Sequence, residues 1–250
     1  MSDPKVFIGC PTWIGKKYCI NRYLNGIAAL DYPEKYFMIV DNTDSDEYIN
    51  LLKEKGVNAL KGPHDKDPKK TVVDSRNILR EEFLKTDFEY FLSLEQDVIP
   101  PPNAIKTLLA NNARVVSGVY FTLVEVNNKA ALDPMAFVSV TQEWIDKIKA
   151  KPDVYKEQYA ELKKNDFDPK KIKRRLTFEE VKEPDVIEVN RVGLGCMLIH
   201  REVLEKFKFR YNPTGYDDMT FCSDVLDNKW KILLDTSVKC KHFINKDEIE

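Results

Sequence analysis

The residues of this chain best suited to chemistry are acids that follow short apolar runs. In YFLSLEQDVIPPP, residues 90–102, an interior-looking run stops at Glu95 and Asp97. Pro100, Pro101 and Pro102 then prevent it from continuing as a central strand. FMIVDNTDSD repeats the design, an apolar run ending at Asp41, and FIGCPTW brings Pro11 and Thr12 to the end of a third run. Ligands of open α/β sheets gather at the carboxyl ends of strands, so these residues would share one edge. Further candidates are Arg76 in SRNILR, Gly193, Gly195 and Cys196 in VGLGCMLIH, the pair Asp217–Asp218, and His242, one of three histidines. Each has a plain structural reading as well. Asp41 could cap a turn, Arg76 could be a solvated helix charge, the aspartate pair could answer a helix dipole, and His242 could lie on the surface near a terminus.

The aspartates can be told apart by helical spacing. On a helix over residues 218–226, Asp218 shares a stripe with Phe221, Cys222 and Val225 and points toward the protein body. Asp217 lines up with Thr220, Phe221, Asp224 and Asn228, a more polar flank. A helix N-terminus favours the ionised carboxylate, which is the form a general base requires. Capping remains the alternative for Asp218, because aspartate is a preferred cap.

The elements that must position these residues alternate. Strand-like runs are expected at 5–10, 36–40, 57–60, 90–94 and 114–121, separated by helical patterns at 20–28, 47–52, 75–84 and 103–110. Asp44 and Glu47 have the spacing of a capping box, and GPHDKDPKK reads as a charged loop. Such alternation predicts a doubly wound, mostly parallel α/β sheet. After Phe121 the pattern changes, with a strand at 135–140 and a lysine-rich, in part helical stretch at 142–175. It turns regular again from residue 186, through a helix over 202–207, and closes on two strands, WKILLD and SVKCKHF. One α/β domain over 1–250 is expected, with a variable segment at 126–183 between a first half, 1–125, and the remainder.

With 250 residues, 43% apolar, 32% charged and a net charge of -2, the chain reads as a globular protein with a sizeable core. Neither disorder nor nucleic-acid binding is indicated. Its five cysteines are scattered without a C-x-x-C pair, the pattern of reduced thiols in the cytoplasm and not of a zinc site. No secretory leader pattern and no apolar run of about 20 residues is present.

Taken together, FIGCPTW, FMIVDNTDSD, SRNILR, FLSLEQD, VNRVGLGCMLIHREVLE, YDDMTFCSDVLDNKWKILLD and KCKH resemble, in order, the glycosyltransferase A-fold (GT-A) family, most closely its family 2-like members. The resemblance implies a Rossmann-like GT-A domain that transfers a hexose from a nucleotide-diphosphate sugar to an acceptor hydroxyl, with inversion. It implies that Pro11, Thr12, Asp41, Arg76, Glu95 and Gln96 bind the donor nucleotide, and that Gly193, Gly195 and Cys196 lie by the donor sugar and acceptor. Asp97 and His242 would hold Mn²⁺ or Mg²⁺, and Asp218, with Asp217 beside it, would be the base. Glu95 stands where the family more often has Asp. A hard divalent ion at such a site stabilises the charge of a leaving diphosphate. Two alternatives are a sugar-1-phosphate nucleotidyltransferase, for which CPTWIGKKY is a glycine-poor loop, and a non-catalytic nucleotide-sugar-binding protein. The basic runs within 126–183 read as a solvated helical face, or as a peripheral contact with the inner membrane face.

Overall fold

The structure is a computed structural model that describes residues 3–126, 129–169 and 171–244. The first half runs β1 (Val6–Thr12), a 3-10 turn (Ile14–Cys19), α1 (Ile20–Ala29), β2 (Lys35–Asp41), α2 (Glu47–Glu54), β3 (Ala59–Lys61) and α3 (Pro68–Leu84). It continues with β4 (Tyr90–Leu94), β5 (Val98–Ile99), α4 (Ala104–Ala110), β6 (Val115–Val119) and β7 (Phe121–Val126). The middle comprises β8 (Lys129–Pro134), β9 (Ala136–Ser139), α5 (Gln142–Ala150), α6 (Lys156–Lys164), β10 (Lys173–Arg175) and α7 (Phe178–Val181). The last part holds β11 (Val186–Val189), β12 (Arg191–Val192), β13 (Cys196–His200), α8 (Arg201–Lys206), α9 (Asp217–Asp227), β14 (Ile232–Lys239) and β15 (Lys241–His242).

Eight strands form the central sheet in the order β11-β14-β6-β13-β4-β1-β2-β3. It is mostly parallel, as the alternation predicts. The two exceptions are β13, antiparallel between β4 and β6, and β11, antiparallel at the edge. Strand alternation divides the core. Val6, Ile8 and Cys10 of β1 face a layer built from α1, α2 and α4, while Phe7 faces a layer built from α3, α8 and α9. The sheet is therefore buried on both faces, which is why its strands read as continuous apolar runs. Residues 140–172 enclose a smaller cluster of their own, with Ile145, Ile148 and Leu162 at its centre. Residues 127, 128 and 170 of the expected variable segment lie outside the described residues. Among the described residues no helix is long and apolar enough to cross a membrane.

Local differences from the sequence expectation have physical causes. Helix α3 begins inside the charged loop, because Pro68 suits a first helical position and the Asp67 carboxylate accepts from the Lys69 N–H at 2.9 Å. The Asp44–Glu47 capping box does not form. The N-cap of α2 is Asp46, whose carboxylate lies 3.7 Å from the Lys61 ammonium and caps nothing. The run at 114–121 splits at Tyr120 into β6 and β7, and the final runs are one bulged strand, β14, followed by the short β15.

Candidate active site

The carboxyl ends of β1, β2 and β4 point the same way because these strands are parallel. Asp41 and Asp97 thus lie at one edge, with β1 between their strands rather than side by side. A cavity of about 470 Å³ opens there, lined by Pro11, Thr12, Trp13, Lys16, Asn42, His64 to Lys66, Pro68, Thr71, Val72 and Glu95 to Asp97. Asp41 itself is fully buried and turned into the loop. Its Oδ1 accepts from the Thr43 N–H at 3.0 Å and from the Thr43 hydroxyl at 2.5 Å, and the Lys61 ammonium stands 3.5 Å from Oδ2. The adjacent Asn42, not Asp41, lines the cavity. Gln96 lines it too, but its amide is occupied by the protein. Its oxygen accepts from the Thr12 and Tyr48 hydroxyls, and its nitrogen donates to the Lys16 carbonyl at 2.5 Å. Gln96 thereby locks the end of β1 to the turn after β4.

Asp97 is the buried acid of the cavity floor. Its Oδ2 meets both the Lys16 ammonium, through a short ion pair, and His242 Nε2 at 3.3 Å. His242 comes from the far end of the chain because β15 pairs antiparallel with β5, setting His242 opposite Val98, and because the Phe243 N–H donates to the Asp97 carbonyl at 2.8 Å. His242 Nδ1 stands 2.6 Å from the Phe121 carbonyl oxygen, an acceptor only, so Nδ1 carries a proton and Nε2 faces the acid. Burial opposes the charge on Asp97, but His242 and Lys16 outweigh it and hold its pKa below the ordinary carboxylate value. Burial likewise works against His242 protonation, and Asp97 reverses the balance, raising the imidazole pKa.

No three His, Cys, Asp or Glu residues converge as a metal cage among the described residues. The pair Asp97 and His242 nevertheless fits a divalent ion shared with phosphate oxygens. It offers one carboxylate and one imidazole whose orientation a backbone carbonyl fixes, the usual support for a ligating histidine.

Arg76 does not line the cavity. It is buried, and its guanidinium donates to the Ser93 hydroxyl at 2.8 Å, contacts Glu95 in a short ion pair, and places Nε 2.9 Å from Asp217 Oδ2. That last contact is an ion pair without hydrogen-bond alignment, since both atoms lack a directed partner. Arg76 ties α3, the end of β4 and the start of α9 together, so Asp217 is a buried structural partner and not part of a polar flank.

Asp218, the next residue, is also buried, and it does not cap α9. The N-cap is Tyr216, and Asp218 Oδ1 accepts from the Met219 N–H at 2.8 Å. A helix N-terminus alone would favour its ionised form. Burial wins instead, with the charge of Asp217 adding to it, and raises the Asp218 pKa to about 6 against a smaller opposing effect from Arg191. Gly193 and Gly195 lie under the Tyr120 ring, where a Cβ at either position would run into the phenol, and the Gly195 N–H donates to the Tyr120 hydroxyl at 3.3 Å. Cys196 is fully buried in the core against Cys240 and does not reach the cavity.

The sequence pattern missed Lys16, Asn42, His64 and Tyr120. Lys16 and Asn42 could have been found as the polar residues next past strand ends already marked. His64, whose Nδ1 stands 3.0 Å from the Asn42 carbonyl, carries no local signal.

No protein-family model and no curated protein matches this sequence. Solved structures do. The mannosyltransferase PcManGT from Pyrobaculum calidifontis, in complex with GDP-Man and Mn2+, aligns over 96% of this chain and 56% of its own, at 15% identity and a TM-score of 0.56. S. aureus TarS in complex with UDP aligns over 96% of this chain and 60% of that one, at 14% identity and a TM-score of 0.54. A TarS complex with UDP-GlcNAc aligns over 96% and 58%, with the same identity and score. This chain has a GT-A-like fold. It spans a little over half the length of those chains, and at such identities the likeness concerns the fold.

Proposed function

We propose that this protein transfers a sugar from a nucleotide-diphosphate sugar to an acceptor hydroxyl, with inversion at the anomeric carbon. The observation that carries this reading is the cavity at the carboxyl ends of β1, β2 and β4, where Asp97 meets both Lys16 and His242. Asp97 is held ionised against Lys16 and His242, while Asp218 is buried with a pKa of about 6. Acids whose environments push their pKa values apart are suited to separate roles. The fold supports it, since the aligned neighbours are complexes with UDP, UDP-GlcNAc and GDP-Man.

In this reading the nucleotide occupies the cavity against Pro11, Thr12 and Asn42, with Asp41 shaping the loop that presents Asn42. The diphosphate lies toward Asp97, His242 and Lys16, where Lys16 supplies a positive charge. A divalent cation bound by Asp97 and His242, Mn²⁺ or Mg²⁺, would stabilise negative charge on the leaving diphosphate. Glu95 and Asp217, fixed by Arg76, form the wall between donor and acceptor sides. The acceptor hydroxyl oxygen attacks the anomeric carbon as the bond to the diphosphate oxygen breaks, and its proton passes to Asp218 Oδ2. With a pKa near 6, Asp218 is ionised at neutral pH yet basic enough to accept that proton. Residues 1–125 are the donor half, and 126–250 the acceptor half of one domain.

A thermal-shift screen of nucleotide-diphosphate sugars with and without Mn²⁺ tests the proposal. One donor should stabilise the protein selectively, more so with the ion, and Asp97→Ala should abolish the ion-dependent part. Failure of every nucleotide and nucleotide sugar to shift the melting temperature at millimolar concentration would refute it.

A further inference from the structure

The three-stranded sheet β10-β9-β12 carries a row of side chains that the transfer mechanism above does not use. Arg175 of β10 and Arg191 of β12 both pair with Phe137 of β9, so the three stand directly opposite one another on one face. The guanidinium carbons lie 4.8 and 3.7 Å from the Phe137 ring centroid, and so within 8.5 Å of each other. Like charges so close are unfavourable unless an anion answers them, and the acids that act on them, Asp133 on Arg175 and Asp218 on Arg191, form an ion pair with neither. Among the described residues neither arginine makes an ion pair, although Arg76, Arg174 and Arg210 do. Arg191 Nε is buried without any hydrogen-bond partner, and the nearest acceptors of Arg175 are the Pro134 carbonyl at 3.4 Å and the Met135 sulfur at 3.5 Å. A buried guanidinium N–H left unpaired is costly, and the rest of the Arg191 side chain is half-buried.

The row lies beside the acid assigned as base. Helix α9 packs against β12, and the Cys222 thiol donates to the Val192 carbonyl at 3.6 Å. Asp218 is four residues before Cys222 and therefore on the same helical face, one turn along toward Arg191. Arg191 also acts on Asp218 electrostatically, opposing the rise in its pKa.

We propose that Arg175 and Arg191, spaced by Phe137, bind a negatively charged oxygen group of the acceptor, a phosphate or a carboxylate, and hold its hydroxyl at Asp218. The acceptor class is thus an anionic glycan or a phosphorylated molecule, not a neutral sugar. Two guanidinium forks bracketing one oxyanion suit such recognition, because each can offer paired N–H donors. The acceptor assignment rests on the transferase reading, whereas the anion site itself does not.

The test is a calorimetric titration of the nucleotide-saturated protein at low salt with inorganic phosphate, glucose 6-phosphate, glucuronate and glucose. Saturation with UDP or GDP, whichever binds, fills the diphosphate position, so that added anions report on the second site. Glucose 6-phosphate or glucuronate should bind and glucose should not, and the stronger of the two identifies phosphate or carboxylate as the natural group. Arg175→Gln and Arg191→Gln should each weaken that binding by about 10- to 100-fold, the range for a lost charge-assisted hydrogen bond. Nucleotide affinity should stay unchanged. Arg191→Lys, which keeps the charge, should retain more affinity than Arg191→Gln, and unfolding midpoints of all variants separate lost binding from lost fold. Equal anion binding by the wild type and Arg175→Gln/Arg191→Gln, or equal binding of glucose and glucose 6-phosphate, overturns the proposal. Anion binding without any nucleotide binding would leave the arginine site standing and remove the transferase reading.

Discussion

Asp218→Asn should make the protein more stable while removing its activity. Asp218 is buried, and its pKa of about 6 in the fold exceeds the ordinary 3.8 by about two units, which at about 1.4 kcal/mol per unit is ~3 kcal/mol. The sign follows from proton linkage. Between pH 3.8 and 6 the folded protein holds a proton on this acid that the unfolded chain has lost, so its stability falls as pH rises through that window. Above pH 6 the full ~3 kcal/mol penalty is present, and below pH 3.8 it is absent. Asparagine carries no charge, relieves the repulsion from Asp217, and keeps an oxygen for the Met219 N–H. Urea unfolding of the wild type and Asp218→Asn at pH 8 should therefore show the variant ahead by up to ~3 kcal/mol, with the gap narrowing at pH 5. The transfer rate of the variant should drop by about 10²–10⁴-fold with donor binding nearly intact. Wild-type kcat/KM should rise with pH to a plateau above about 6, a limb missing from the variant. A variant less stable than wild type at pH 8, or a gap independent of pH, would refute the claim that burial charges Asp218 at a cost to the fold. Near-normal transfer by the variant would refute its role as base.

Two further outcomes concern the frame around that acid. Arg76→Met leaves Glu95 and Asp217 without their buried partner and should lower stability by about 3–5 kcal/mol in urea titration, while a loss below about 1 kcal/mol would mean that the three-way pairing contributes little. Gly193→Ala drives a methyl into the Tyr120 hydroxyl and should cost about 1–3 kcal/mol, partly recovered in the double variant with Tyr120→Phe; absence of recovery would place the strain elsewhere.

The fold class was legible in the sequence because a sheet buried on both faces writes itself as short, continuous apolar runs between helical patterns. The same runs end at polar residues, so Pro11, Thr12, Glu95 and Asp97 could be assigned to one edge from strand direction alone. Helical spacing also placed Asp218 on the stripe of Phe221, Cys222 and Val225, which is buried, but its expectation of a polar flank for Asp217 failed, because Asp217 is buried against Arg76. What spacing cannot encode is which side chains from distant segments meet. Arg76 is held between Ser93, Glu95 and Asp217 and does not line the cavity. Gln96 and Asp41 likewise spend their polar atoms on the protein, because the turn after β4 and the loop after β2 both have to be fixed. The pKa of Asp218 reverses the expectation from the helix dipole, since the dipole is a local effect and desolvation depends on everything packed around the acid. The Arg175–Phe137–Arg191 row comes from three segments separated by up to 54 positions, brought together only by strand pairing. Local patterns determined where the strands end, and tertiary contacts decided which of the residues found there remain free to meet a ligand.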